Sequence, residues 1–183
     1  MRVPAVVGSF PEPFLHGSEG KRFPIRIDCG QDDATACTAV SKRLEAADIA
    51  PSTSAIGAVA GKDLLRLVVG TWGEVRQDGA SRLIEEGPDK SGVFAKFGPG
   101  AGGGYELDLL DSEARTVQSL GPGSGLVAAT RFEDQQPTWV VTGTDSLGVQ
   151  RAAALITERA LRDRFAIATT GAAPIALPAE AQR

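Results

Sequence analysis

One histidine, one methionine, one tyrosine and two cysteines in 183 residues leave the chain poor in the side chains that most active sites use. A metal centre would have to be assembled around His16, Cys29 and Cys37, and the cysteine spacing is not Cys-x-x-Cys. No metal site is expected. A Ser-His-Asp enzyme would need His16 as its base, yet His16 precedes Ser146, the nearest candidate nucleophile, by about 130 positions, the reverse of the order in G-x-S-x-G hydrolases. No apolar run approaches the ~18 residues needed to span a bilayer. The net charge is −4 without a cluster of Lys and Arg, which excludes the usual nucleic-acid footprint. No G-x-x-x-x-G-K-[ST] loop occurs, and no cofactor is implied.

What is present is apolar residues at 42%, with 22 glycines and 11 prolines. A chain of this length buries about 70% of its unfolded surface, enough for one core without staples. Arg22 to Asp28 alternates at period two, with Phe23, Ile25 and Ile27 on one face, and predicts a half-buried strand. Asp32 or Asp33 then caps a helix whose stripe is Cys37, Val40, Leu44 and Ala47. Ala50 to Gly61 reads as a connection with at best a short strand at Ala55 to Val59. Leu64 to Gly70 is a continuous apolar run, the pattern of a central strand covered on both faces. A helix from Glu74 to Glu86, with an Asp78–Arg82 pair, and a strand from Ser91 to Phe97 follow. Thr138 to Thr142 is a strand, Leu147 to Arg164 a helix, and Phe165 to Thr169 a strand. These last two groups read as a degenerate pair of βαβ units. Between them, Tyr105 to Leu110, Thr116 to Leu120 and Leu126 to Phe132 extend an antiparallel meander that starts at Ser91, while Gly98 to Gly104 reads as a flexible swing. The fold class is therefore α/β: a single mixed-sheet domain over residues 1–170 with a flexible tail over 171–183.

Pro4 to Phe14, Ile27-Asp28-Cys29-Gly30, and Trp139 to Asp145 followed by Gly148-Val149 together resemble the C-terminal region of uncharacterised exported bacterial proteins in which a transcobalamin-like β-grasp domain comes first. The β-grasp domain has no counterpart here, so none of its ligand chemistry transfers. The resemblance implies an extracellular or cell-envelope location and a neighbouring domain in a longer chain. Met1 running directly into a strand at Val3 to Val7 fits an internal start, whereas a chain complete as written would be cytoplasmic. Cys29 and Cys37, at the ends of consecutive elements, are placed for a disulfide. Two core thiols, a metal pair and a redox pair are the rival readings, and the exported context favours the bond.

The leading function is a non-catalytic accessory or ligand-binding module for a small molecule or glycan. The alternative is a hydrolase using carboxylates that the sequence does not identify. The ligand residues would come from two strand-to-helix turns at one sheet edge: Gly70 and Trp72 in the first, Thr144, Asp145 and Ser146 in the second. Trp72 would offer a flat apolar face, or else simply pack its turn. Asp145 would disfavour phosphate, or else simply cap the helix. Trp139 and Tyr105 are the other large aromatics that could mark a sugar platform, and Trp139 reads as core.

Overall fold

The computed structural model describes residues 6–17 and 20–180. Ten strands form two sheets: β1 Ile25–Cys29, β2 Ser52–Ala55, β3 Leu65–Thr71, β4 Ala95–Pro99, β5 Tyr105–Leu110, β6 Thr116–Leu120, β7 Gly125–Thr130, β8 Thr138–Gly143, β9 Ala166–Thr169 and β10 Ile175–Leu177. Seven lie in one sheet in the order β10-β9-β7-β8-β3-β1-β2, and β4-β5-β6 form a second, antiparallel sheet. β2, β1, β3 and β8 are parallel, while β7 runs antiparallel between β8 and β9. The class is α/β, as expected.

The large sheet is covered on both sides. Ile27, Leu67, Val69, Val141 and Ile167 face helices α1 (Ala34–Ala46) and α5 (Ser146–Ala153), which contribute Val40, Leu44, Val149 and Ala152. Phe10 and Phe14 close this layer on Trp139, at ring separations of 6.0 and 4.9 Å. The alternate residues Val68, Val140, Leu126 and Ala128 face the small sheet, which supplies Phe97, Leu107 and Leu109. Three layers result, with β3 and β8 buried on both faces.

Several local expectations need correction. Glu74 to Glu86 is not one helix: α2 (Trp72–Val75), α3 (Gly79–Arg82), a 3-10 turn (Leu83–Glu86) and α4 (Pro88–Ser91) follow one another. The break comes at Asp78, whose backbone is extended and whose carboxylate accepts from Ser81 N–H to start α3. That carboxylate pairs with Arg66 at 2.8 Å, not with Arg82. Leu147 to Arg164 is likewise split, because Thr157 leaves the helix and caps α6 (Glu158–Leu161), although Ile156 stays buried as its stripe requires. β4 belongs to the small sheet, so β3 and β4 form no βαβ unit and the pseudo-repeat is absent. β7 leaves the meander for the large sheet. Gly98 to Gly104 is a closed hairpin, with Gly100 N–H donating to Gly104 C=O at 2.8 Å. The expected tail at 171–183 contributes β10, paired with β9, and Ala179 N–H donates to Leu110 C=O. The strand expected at Val3 to Val7 falls mostly outside the described residues, and Val6 and Val7 are not in a strand.

Beneath the second layer lies an ionic cluster. Asp28, 1% exposed, accepts from Arg26 at 2.5 and 3.1 Å and from Arg66 at 3.1 Å. Arg66 also donates to Asp78 and to Thr138 Oγ1, so one guanidinium joins β1, β3, β8 and the start of α3. Burial alone would raise the Asp78 carboxyl, but the Arg66 charge and the two Ser81 hydrogen bonds hold it below the ordinary aspartate range.

A depressed carboxyl stabilises the fold at pH above its unfolded value, and that contribution is lost as pH falls through the folded value. Arg66→Ala, which leaves two aspartates short of a partner, should destabilise by about 3–5 kcal/mol in urea unfolding at pH 7. Between about pH 5 and 2 the variant should also lose stability less steeply than wild type, because Asp78 returns toward its ordinary range. An unchanged midpoint with an unchanged acid slope would mean that the cluster holds nothing together.

Candidate functional site

The register Thr71↔Gly143 places the ends of β3 and β8 side by side, and Cys29↔Val69 brings β1 to the same edge. At this edge the chain leaves β1 for α1 on one face and leaves β3 for α2 on the other. Such a divergence is where open parallel sheets leave room for ligands.

Between β1 and β3 the room is filled from within. Asp33 precedes α1 but makes no side-chain cap; its carboxylate instead accepts from Thr71 N–H at 2.9 Å. Glu74 accepts from Gln31 N–H at 2.8 Å and from Thr71 Oγ1 at 3.3 Å. Gly30 makes this possible, since a Cβ there would stand 2.3 Å from Glu74 Oε2. Gly70 lies under the same carboxylate. Beside it, Cys29 and Cys37 form a disulfide with a Cα separation of 6.0 Å. A groove of 470 Å³ runs past the disulfide between α1 and β2, lined by Thr38, Ser41, Lys42, Glu45 and Thr53. It is broad and open, with opposite charges on its helix wall.

Beyond β8 the edge encloses more. A cleft of 410 Å³ lies between the β4–β5 hairpin at Gly100 to Gly104, Tyr105 and Glu106, the β6–β7 turn at Gly121-Pro122, and Thr144-Asp145. Its volume falls within the range of small-molecule sites. Asp145 Oδ1 accepts from Gly148 N–H, capping α5, and Oδ2 accepts from Gly123 N–H at 2.8 Å. Thr144 Oγ1 accepts from Ser124 N–H and donates to Gly121 C=O. The two residues thereby clamp the β6–β7 turn onto the start of α5. Of the residues expected at the site, Thr144 and Asp145 line the cleft, half-buried Ser146 opens α5 next to them, and Gly70 lies apart beneath Glu74.

Trp72 departs from expectation. Its indole is fully buried, stacked on Phe97 at 4.3 Å and 8°, and presents no face to a ligand. Once the small sheet covers β3, a large ring following that strand has an apolar partner to stack on, and burial wins. Glu106 was missed, and Tyr105, weighed as an aromatic platform, was not placed at this edge, because both reach it only through the pairing of β4 with β5 (Pro99↔Tyr105). Glu74 was missed because its partner lies 43 residues away.

His16 is far from this chemistry, paired with Glu12 in the N-terminal loop, where burial opposes the shift but the His16 hydrogen bonds lower the Glu12 carboxyl. Among the described residues no group of three or more His, Cys, Asp or Glu could hold a metal, and no helix is long and apolar enough to cross a membrane. Comparison with protein-family models, curated proteins and solved structures finds no match.

The wall of the cleft depends on backbone contact through glycine. A Cβ on Gly148 would stand 2.1 Å from Ser124 C=O, and one on Gly143 would stand 2.5 Å from Gly148 C and Val149 N. Gly148→Ala should push α5 off the sheet and cost about 1–3 kcal/mol. Gly102→Ala, with no atom within 4 Å of the new methyl, should leave the unfolding midpoint unchanged. Equal midpoints for the two variants in denaturant titrations would contradict this close packing.

Proposed function

We propose that the domain is a non-catalytic accessory module of an exported bacterial protein that binds a small polyol or glycan in the cleft at Tyr105, Glu106, Thr144 and Asp145. One observation carries the reading: the cleft is walled by glycine backbone, one aromatic ring and two carboxylates, with no Lys or Arg among its lining residues. Peptide groups and carboxylates offer hydrogen bonds to hydroxyls, a tyrosine ring offers an apolar face to a sugar, and the negative charge repels phosphate.

Two further features support the reading. The Thr144 hydroxyl and the Asp145 carboxylate are committed to backbone groups in the way a positioning wall requires. The Cys29–Cys37 disulfide suits an oxidising compartment, in line with the exported proteins that the sequence resembles.

A panel of monosaccharides, oligosaccharides and linear polyols, read by thermal shift and followed by a hydrolase assay on every binder, tests the proposal. At least one polyol should raise the melting temperature with concentration and emerge chemically unchanged. Turnover of a binder that is lost on changing one Asp or Glu would replace the module with the hydrolase alternative. Binding by phosphate alone would remove the polyol reading.

A further inference from the structure

The large sheet ends at β2, and among the described residues no strand pairs with the outer edge of β2. Open edges invite pairing with another chain, and proteins guard them with charge, proline or very short strands. The other edges of this fold carry such guards. β4 holds Lys96 and Pro99, β6 is entered through Arg115 with its partners Asp111 and Glu113, and β10 has three residues and stops at Pro178. β2 stands in a stretch without charge: from Ala50 to Gly61 there is no Asp, Glu, Lys or Arg, and Ser52, Thr53 and Ala55 are exposed. Its one guard is Pro51, and that residue fixes a register instead of closing the edge.

The ladder shows which groups the edge offers. Ile56 N–H donates to Cys29 C=O at 3.2 Å, so by alternation Ser52 and Ser54 also bond toward β1. Pro51, Thr53 and Ala55 therefore turn their backbone groups outward. Ala55 C=O is already taken by Ala58 N–H at 3.2 Å, and Pro51 has no N–H to give. Thr53 N–H, Thr53 C=O, Ala55 N–H and Pro51 C=O remain open. An antiparallel copy of the same strand, related by a two-fold axis through Thr53, uses each of them. Thr53 exchanges both of its bonds with the second copy's Thr53, and Ala55 N–H of each copy meets Pro51 C=O of the other. The donor that Pro51 lacks is the one that Ala55 C=O, already bonded, does not need.

We propose that this edge is a two-fold interface, at which a second copy of the chain adds its β2 antiparallel to this one and makes one sheet across both. Such an interface sets a surface against itself, so any net sign on it repels. This surface has none. Thr53 is in register with Ile27, whose side chain faces α1, so the axis places the two Thr53 side chains together on that face and joins the grooves beside them. The helix wall of each groove carries one exposed charge of each sign, Lys42 and Glu45. Across the axis the two walls make a neutral set in which each lysine has a carboxylate of the other copy to approach. None of these residues lines the cleft at Thr144 and Asp145, so the inference stands apart from the polyol reading.

Sedimentation equilibrium on wild type, Thr53→Pro, Lys42→Glu and Glu45→Lys tests this, with circular dichroism to follow folding. Wild type should show a reversible monomer–dimer equilibrium. Thr53→Pro removes only an outward N–H, a change that edge strands accept, and should fold yet weaken the dimer by about tenfold or more. Lys42→Glu and Glu45→Lys each give the wall a single sign and should each weaken it by about tenfold, whereas an equimolar mixture of the two should form a mixed dimer as tight as that of wild type. If Thr53→Pro does not fold, the charge variants and their mixture decide. Wild type that stays monomeric up to about 1 mM would overturn the proposal, even if the edge then captured an extended peptide. A dimer that Thr53→Pro and both charge variants leave unchanged would overturn it as well.

Discussion

The guanidinium of Arg66 fixes how the second layer sits on the first. It stands near the start of β3, between Asp28 of β1 and Thr138 of β8, and reaches out of the sheet to Asp78. Removing either aspartate or the arginine would leave a largely buried charge without a partner. Because Asp78 also caps α3, the same contact decides where the chain turns after β3, and hence where the segment from Trp72 to Ser91 lies over the sheet. The small sheet follows from that placement through the Trp72–Phe97 stack. With the small sheet in position, the β4–β5 hairpin reaches the strand ends and the cleft acquires its outer wall.

At those strand ends the backbone does much of the work usually left to side chains. Gly125, Gly143 and Gly148 let two strands and a helix meet main chain to main chain, and Gly30 makes room for Glu74. Carboxylates then take up the amide groups that the turns leave open: Asp33 on Thr71, Glu74 on Gln31, Asp145 on Gly123 and Gly148. An edge whose amides already carry internal carboxylates has little left for a phosphate and keeps its negative charge. The same arrangement leaves peptide groups of the glycine hairpin open to uncharged hydroxyls.

The elements with strong periodicity were readable from the chain. The alternation of Phe23, Ile25 and Ile27, the apolar run at Leu64 to Gly70 broken only by Arg66, and the stripe Cys37, Val40 and Leu44 each decide one element without outside help, and each is found close to where expected. The bond between Cys29 and Cys37 was one of several roles that their spacing allowed, favoured only by the exported context that the resemblance implies, and the structure forms it. What could not be read depends on partners distant in sequence. Asp78 looks like a helix residue until Arg66 draws it out, and Trp72 looks like an exposed platform until Phe97 covers it. Thr144 and Asp145 stood out because they open a helix after a strand. Glu106 carried no such mark, and Tyr105 stood out only as a large aromatic, since the pairing of β4 with β5 is what brings both to the same edge.

The central claim is that ligand recognition belongs to the cleft beyond β8 and not to the larger groove beside the disulfide. Backbone amide shifts recorded during titration with a sugar or polyol that raises the melting temperature separate the two directly. The account predicts concentration-dependent shifts confined to the hairpin from Gly100 to Glu106, to Gly121 to Ser124 and to Thr142 to Asp145. Shifts centred on Thr38, Ser41 and Thr53 around the Cys29–Cys37 bond, with the hairpin unmoved, would contradict it.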